Sequence, residues 1–323
     1  MPSPINSLGL GFRRSIKPDV VYRSGKQIFL EKPGNTHERA ILRVSPTSLS
    51  PGQRAASPGR LAGDLSATRH SRGTSNATAL TSRIAAQMCS VLYDLRRDSP
   101  EEAIGEQYIP VLLKALTVHS ASWGETQEIL ENLLKPISQP RKLKENINRF
   151  LGYGPISPNR VYSCTDQRAT LIGCSAITHD EGHLYSVPLP PSLSGQKLWR
   201  RLIITLAWFT PINPSHRAYR KAALWFDPPK DELLVDRQEA DWQAVKRGTV
   251  QHEILEGEKA APFVEDQALE ILVNCRADAG DLSETIPYAI AVTLEVAEGI
   301  DISIYNEIQT RIRPPVSVRP RAI

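Results

Sequence analysis

The second half of the chain contains a series of short apolar segments with no helical pattern between them. Each segment alternates apolar and polar residues or is rich in β-branched residues, and turns containing Pro, Gly and Asn separate them. The segments are 169–176, 183–187, 201–208, 221–226, 268–275 and 288–296, with a weaker one at 249–255. Strands that follow one another without helices predict an all-β domain, a β-sandwich of jelly-roll type. We place this domain at residues 166–323.

Helical patterns dominate the first half of the chain. The longest helix is predicted from Asn76 to Arg96, because apolar residues recur there at helical spacing. These apolar positions are Leu80, Ile84, Met88, Val91, Leu92 and Leu95. Further helices are predicted at 101–118 (kinked at Pro110), 127–134 and 143–151.

A turn of small residues precedes the longest helix. Gly73 permits backbone angles that other residues avoid, so the chain can bend sharply just before Ser75. The Ser75 hydroxyl would then lie at a helix N-terminus, where free N–H groups and the positive end of the dipole favour negative charge. Such a position suits a nucleophile whose reaction generates an oxyanion. The alternative interpretation is a simple N-cap, because Ser and Thr commonly satisfy the free N–H groups of a helix.

Three stretches of the chain occur in the order found in one enzyme family. They are Lys17-Pro18-Asp19-Val20 in a predicted strand at 16–22, Gly73-Thr74-Ser75 before the long helix, and the glycine turn at 152–156. Together they resemble the C-terminal part of the catalytic domain of subtilisin-like serine peptidases (subtilases), over residues 15–165, about half the chain. Two departures are present: Tyr22 follows where the family continues with Ala-Pro-Gly, and Ala79 replaces a common proline.

The resemblance implies an α/β fold for residues 1–165, an incomplete subtilisin-like three-layer domain with a parallel sheet. It implies that Ser75 is the nucleophile of a serine-type endopeptidase, with Gly73, Thr74 and Asn76 in the substrate and oxyanion surroundings. The partners would be a polypeptide substrate and, since the family's Asp and His segments have no counterpart here, a second polypeptide that supplies them. A truncated peptidase and a non-catalytic binding protein derived from a subtilase are the alternatives.

Two groups of histidines invite chemical roles that the pattern does not favour. Residues 31–72 are rich in Pro, Gly, Ser and Arg and are predicted as a long loop, in which His37 and His70 lie. We do not assign His70 as a general base, because exposed loop histidines are common. His179 and His183 have the spacing of helical metal ligands, but Gly182 favours a hairpin turn. No metal and no cofactor are predicted.

The remaining composition points to an ordinary globular protein. Net charge is +4, and the basic clusters at 13–17, 217–221 and 311–321 are interpreted as solvated surface, so no nucleic-acid partner is predicted. The cysteines lack metal-ligand spacing: Cys89 is predicted to be a buried thiol, and Cys164 and Cys174 reduced rather than bridged. Trp199, Trp208, Trp225 and Trp242 are predicted to pack in the core. With no signal core and no apolar run of membrane length, we expect no membrane association and a cytoplasmic location.

Overall fold

A computed structural model describes residues 3, 6–31, 41–45, 48–98, 104–264, 267–311 and, for the backbone alone, 316–318. Close contacts divide the chain into two compact units. The smaller unit is Met1–Ser7 with Val21–Ala86, and the larger unit is Leu8–Val20 with Gln87–Ile323. The N-terminal segment 8–20 therefore belongs with the C-terminal three-quarters of the chain, and the residues between them form a unit of their own.

The smaller unit is built from two antiparallel ribbons and the start of a helix. Strand β1 (Phe29–Glu31) pairs with β2 (Leu42–Val44), and β3 (Gln53–Ala56) pairs with β4 (Thr68–Ser71). These strands occupy part of the predicted loop at 31–72. His37 and Ala40 lie outside the described residues.

The long helix α1 (Thr74–Asp98) begins in the smaller unit, and its residues from Gln87 onward belong to the larger one. Its prediction from apolar spacing is confirmed. Ile84, Met88 and Leu92 are buried, one helical turn apart. Leu95 is exposed and Cys89 is only half-buried, so the predicted apolar face is narrower than the sequence indicated, and the prediction of a buried Cys89 thiol is wrong.

The larger unit contains two antiparallel sheets. The first has the spatial order β5 (Arg168–Ile177), β12 (Ile286–Val296), β7 (Arg200–Trp208), β10 (Val250–Gly257) and β9 (Asp236–Arg237). The second has the order β13 (Val316–Val318), β6 (Gly182–Pro188), β11 (Ala268–Ala277) and β8 (Ala222–Trp225). One hydrophobic cluster takes side chains from both sheets, including Ile204 of β7, Ile271 of β11 and Ile290 of β12. Two antiparallel sheets on a common core confirm the β-rich second half that the sequence predicts.

Helix α2 (Ile109–His119) covers the outer face of the five-stranded sheet. It packs against β7, β10 and β12. Strand β12 is hydrogen-bonded on both sides and carries almost only buried residues, which is the pattern of a central strand covered on both faces. Elements on either side of the boundary predicted at residue 165 therefore share one compact unit. Pro110 lies in the first turn of α2, where a missing N–H costs nothing, so the predicted kink within a helix is wrong.

The other helices lie close to their predicted positions. Helix α3 (Glu125–Leu134) and helix α4 (Leu143–Leu151) are as expected, and two short helices, α5 (Asn159–Tyr162) and α6 (Ile304–Gln309), were not predicted. No described helix is long and apolar enough to cross a membrane.

The strand predicted at 16–22 is wrong. Residues 12–14 form a tight turn in which Arg13 and Arg14 have positive φ, 55° and 62°, and the chain then bends irregularly through 17–19. The segment 17–19 contacts the glycine turn predicted at 152–156. The Tyr153 N–H donates to the Asp19 carbonyl at 2.9 Å. Gly152, at a φ of 61°, packs directly against the Pro18 carbonyl. The segment is held by a distant turn rather than by a neighbouring strand, which local periodicity cannot reveal.

Two smaller expectations also change. Residues 178–181 connect β5 in one sheet to β6 in the other, so the hairpin predicted at His179–His183 is a turn between sheets. Trp208 lies in the core as predicted, whereas Trp242 is 59% exposed. Trp199 and Trp225 are half-buried, each beneath an arginine guanidinium.

Candidate functional site

Ser75 is the second residue of α1 and is exposed to solvent. Gly73 before it takes the predicted positive φ, at 128°. A Cβ at Gly73 would meet nothing within 4 Å, so the backbone angle rather than crowding favours glycine there. The hydroxyl is thus presented at the first turn of a 25-residue helix, after a sharp bend.

Asn76 fastens that first turn to the strand before it. Its side-chain amide donates to the Ser71 carbonyl at 3.0 Å and to the Ser24 carbonyl at 3.4 Å. Its Oδ1 accepts from the Ser71 hydroxyl at 3.1 Å, and the Gly73 N–H donates to Ser24 at 3.0 Å. These bonds engage the amide of Asn76, which the resemblance places near an oxyanion.

The surroundings of Ser75 supply little for activating its hydroxyl. Within the described ranges, no histidine or carboxylate hydrogen-bonds to Ser75. His70 lies in β4, where its backbone N–H donates to the Ser48 carbonyl at 2.8 Å. Thr74, also exposed, uses its carbonyl to accept a hydrogen bond from the Thr78 hydroxyl.

The larger unit brings together exposed aromatic side chains from distant parts of the sequence. Phe12, 48% exposed, meets the ring of Tyr219, 41% exposed, edge-on at 5.8 Å between centroids. The guanidinium of Arg220 lies over the Phe12 ring at 5.6 Å. Aromatic and arginine side chains left partly exposed in one place are the residues that protein interfaces use most.

An ordered loop presents Tyr219. Its φ is 62°, an unusual value for a bulky residue, which the neighbouring bonds must hold in place. The Tyr219 carbonyl accepts from the Asn213 N–H at 2.7 Å, its N–H donates to His216 at 2.9 Å, and Ile212 and Arg220 form a β-bridge. The tyrosine is therefore fixed in position before any partner binds.

Four cations lie around these rings: Arg13, Lys17, Arg220 and, from α2, Lys114. Arg13 pairs with Asp278 at 2.6 Å, and Lys17 pairs with Asp19. The Arg220 guanidinium donates to the Arg247 carbonyl at 2.5 Å.

Lys114 reaches the same surface from α2. Its ammonium donates to the carbonyls of Trp208 and Thr249 at 2.8 and 3.1 Å, and it lies 5.0 Å from the ring centre of Phe209, which is 45% exposed. Burial lowers the pKa of Lys114 to about 8, with Asp19 opposing that effect and Lys17 and Arg220 adding to it.

We call this surface the aromatic–basic patch, defined by Phe12, Arg13, Lys17, Lys114, Phe209, Tyr219 and Arg220. Its four cations face two carboxylates, so it is net positive. From the sequence, the basic clusters at 13–17 and 217–221 are interpreted as solvated surface. In the structure they lie together in this patch. No signal in the sequence could have found the patch, because its members are separated by up to about 200 residues.

Two buried histidines lie where α2 meets the five-stranded sheet, His119 as the last residue of α2 and His252 in β10. His119 hydrogen-bonds through Nδ1 to Thr205 at 2.8 Å and through Nε2 to Thr293 at 2.7 Å. His252 lies 2.7 Å from the same Thr205 hydroxyl and 3.1 Å from the Ala121 carbonyl. Burial lowers the pKa of both rings, that of His252 to about 4. Both are neutral near pH 7 and fasten the helix to the sheet rather than facing a substrate.

His179 and His183 do not converge on a common point. His179 lies 3.1 Å from Asp180, whereas His183 bridges Glu181 at 3.3 Å and the Tyr288 hydroxyl at 2.7 Å. The Tyr288 hydroxyl also meets that of Tyr185 at 2.7 Å, which links β6 to β12 across the sandwich. Among the residues that the structure describes, no group of three metal-ligating side chains is found.

The geometry thus offers two candidate sites, one in each unit: the exposed Ser75 at the start of α1 and the aromatic–basic patch. The first was predicted from sequence, and the second comes from the structure. Comparison with known proteins adds no family to either: no protein-family model matches the chain, and no curated protein matches it.

Proposed function

We propose that this protein is a non-catalytic binding protein whose aromatic–basic patch binds an acidic polypeptide segment. The observation that carries the proposal is the exposure of Phe12, Phe209 and Tyr219 beside four cations on a pre-ordered surface. Rings of this kind supply apolar contact area at low entropic cost, and the net positive charge attracts an anionic partner.

The arrangement of the rings favours a polypeptide over a single-stranded nucleic acid. Nucleic-acid platforms need open ring faces on which bases stack. Here Arg220 covers one face of Phe12, and Tyr219 meets the Phe12 ring edge-on. The exposed side chain of Ile212, next to Arg220, adds apolar surface suited to a leucine or phenylalanine of the partner.

Fluorescence anisotropy tests this proposal with a labelled 12-residue peptide of alternating Glu and Leu. The wild-type chain should bind it, and the double variant Phe12→Ala/Tyr219→Asn should bind at least tenfold more weakly. Asn is chosen because it tolerates the positive φ of Tyr219. Trp242→Ala removes an exposed aromatic outside the patch and should leave the affinity unchanged.

Two results would contradict the proposal. One is the absence of binding by the wild-type chain, and the other is an equal loss of affinity in Trp242→Ala. A labelled dT20 strand that binds more tightly than the peptide, with the same dependence on Phe12 and Tyr219, would point to nucleic acid instead.

A second candidate function is a serine-type endopeptidase of subtilisin-like type, with Ser75 as nucleophile. Its support is the exposed hydroxyl at the first turn of α1, directly after Gly73 at positive φ. This candidate requires a base and an orienting carboxylate from elsewhere, and a docked second polypeptide is the expected source. This candidate also includes the expectation that residues 1–165 form an incomplete subtilisin-like α/β domain.

In that reaction the Ser75 oxygen attacks the peptide carbonyl while its proton passes to the base. The base then protonates the departing amine, and water releases the acyl group from Ser75. A fluorophosphonate probe should label the wild-type chain but not Ser75→Ala, and Ser82→Ala, a second exposed serine of α1, should be labelled normally. If labelling requires a second polypeptide that supplies the Asp and the His, the enzyme is split between two chains. If no labelling occurs under either condition, the candidate is rejected.

A further inference from the structure

The smaller unit contains an open pocket of about 380 Å³ between its two ribbons. Seven of its lining residues carry side-chain hydrogen-bond donors: Gln27, Ser45, Ser48, Arg69, His70, Ser71 and Arg72. None of the described residues that line it carries a carboxylate. The pocket is therefore rich in donors and positively charged, and its volume is that of a small-molecule site.

Two of these residues hold the wall of the pocket. Arg72 donates through Nε to the Lys26 carbonyl at 2.8 Å and through Nη2 to the Leu49 carbonyl at 2.5 Å. The Ser71 hydroxyl donates to Asn76. These contacts fix one guanidinium charge in place and connect the wall to the first turn of α1.

Other lining residues keep their donors available. The hydroxyls of Ser45 and Ser48, the guanidinium of Arg69 and the ring of His70 make no side-chain hydrogen bond to any described residue. The backbone beneath them is nevertheless ordered, because the Ser48 carbonyl accepts the His70 N–H at 2.8 Å and β4 is paired with β3. Available donors on an ordered backbone are what a bound anion requires.

Close backbone packing shapes this end of the ribbon. A Cβ at Gly52 would lie 2.8 Å from the Ser71 carbonyl oxygen and 3.2 Å from the His70 Cβ. A Cβ at Gly25 would lie 3.1 Å from the same oxygen. The two glycines let neighbouring segments approach the backbone of Ser71, so the pocket wall is tightly supported.

We infer that this pocket binds the phosphate group of a small molecule. A tetrahedral oxyanion accepts hydrogen bonds from several directions, so hydroxyl and imidazole donors can reach it together with an arginine fork, which by itself fits both phosphate and carboxylate. The positive charge of Arg69 and Arg72 balances the anion, and none of the lining residues that the structure describes opposes it with an acidic side chain. This inference is independent of the aromatic–basic patch, which belongs to the larger unit.

Isothermal titration of the full chain with pyrophosphate, and with malonate as the carboxylate comparison, tests the inference. Pyrophosphate should bind the wild type, malonate should bind at least tenfold more weakly, and Arg69→Gln should weaken pyrophosphate binding at least tenfold. Ser48→Ala, which leaves the Ser48 carbonyl in place, should weaken it several-fold. Arg60→Gln removes an equal charge from an exposed residue of the same unit outside the lining and should bind like the wild type.

Thermal unfolding of each variant shows whether the fold is retained, and Ser48→Ala keeps the test decisive if Arg69→Gln does not fold. No heat of binding for pyrophosphate would overturn the inference. An equal loss in Arg60→Gln would do the same, because it would show general charge attraction. Tighter binding of malonate than of pyrophosphate would replace phosphate by carboxylate as the ligand group and so also reject the assignment.

Discussion

His119 and Thr205, both buried, are joined by a hydrogen bond of 2.8 Å between the imidazole Nδ1 and the threonine hydroxyl. The same hydroxyl lies 2.7 Å from Nδ1 of His252. His252 Nε2 faces the Ala121 carbonyl, which can only accept, so Nε2 carries the proton and Nδ1 is the acceptor. Thr205 therefore donates to His252 and accepts from the Nδ1–H of His119.

The chain of hydrogen bonds continues from His119 to Thr170 in the edge strand β5. With its proton on Nδ1, His119 must accept at Nε2 from the Thr293 hydroxyl, 2.7 Å away. Thr293 in turn accepts from the Thr170 hydroxyl at 2.7 Å. A single direction of donation thus crosses from β5 through β12, α2 and β7 to β10, and it requires both imidazoles to be neutral.

We expect acid to destabilise the protein between pH 6.5 and pH 4. An unfolded histidine takes up a proton below its ordinary pKa of 6.5, whereas burial lowers the pKa of folded His252 to about 4. Below pH 6.5 the unfolded state therefore binds more protons, and the free energy of unfolding falls as the pH falls. His252 alone accounts for about 3 kcal/mol over that interval. Urea unfolding of Glu239→Gln at half-unit pH steps measures the effect, because that variant lacks the opposing titration of Glu239, whose pKa burial raises to about 7. A constant free energy of unfolding from pH 7 to pH 4 in that variant would contradict the prediction.

Thr205→Val should destabilise the protein by about 2–4 kcal/mol, because the change removes one hydrogen-bond partner from each buried imidazole without opening a cavity. The measurement is the midpoint of urea unfolding at pH 7. Thr310→Val serves as the control, since its exposed hydroxyl bonds only to nearby carbonyls. The control should change the stability by less than about 0.5 kcal/mol. Equal effects of the two substitutions would show that the Thr205 hydroxyl has no special role.

Glu239→Gln should remove a pH dependence of the opposite sign. The Glu239 carboxylate accepts the Trp123 N–H at 2.7 Å just before α3, and burial raises its pKa from 4.5 to about 7. The folded state holds this proton more tightly, so its stabilising effect is lost as the pH rises through 7. The variant should gain about 1–3 kcal/mol relative to wild type between pH 5 and pH 8. A difference between variant and wild type that stays constant with pH would refute the shift.

Gly152→Ala should cost about 3–5 kcal/mol, which combines the strain of a positive φ with overlap against the backbone of Pro18. Gly299→Ala separates the two causes. Gly299 also has a positive φ, of 81°, but a Cβ there would meet nothing within 4 Å, so only about 1–2 kcal/mol should be lost. Thermal or urea unfolding of the two variants provides the comparison. If both lose the same amount, the contact between Gly152 and Pro18 has no energetic consequence.

Elements with strong local periodicity could be predicted from the sequence. Strand β7 was expected at 201–208 and is found at Arg200–Trp208, and the long helix was expected from Asn76 and begins at Thr74. In both, the apolar spacing reflects a face that must be buried, and burial decides the element. Residues 16–22 do not form the strand that their apolar residues predicted, because the backbone carbonyls of Pro18 and Asp19 face the turn at Gly152 and Tyr153 rather than a neighbouring strand.

The candidate sites depended on information that the local sequence does not hold. Ser75 could be found because glycine and small residues before a helix mark a recognisable turn. The aromatic–basic patch could not, since Phe12, Lys114 and Tyr219 meet only through tertiary structure. His119 ends a largely apolar helix and His252 lies between Gln251 and Glu253 on its strand, so the local sequence does not reveal that both rings bond to Thr205.

The position of residues 8–20 has a consequence for how the chain acquires its structure. Arg14 pairs with Glu145, Asp19 with the backbone of Tyr153, and Arg13 with Asp278, so this early segment meets partners that the ribosome makes more than 100 residues later. Contacts so distant along the chain slow folding, because each closes a long loop before any compensating interaction forms. We therefore expect this segment to dock late, after the strands that contain its partners have already assembled.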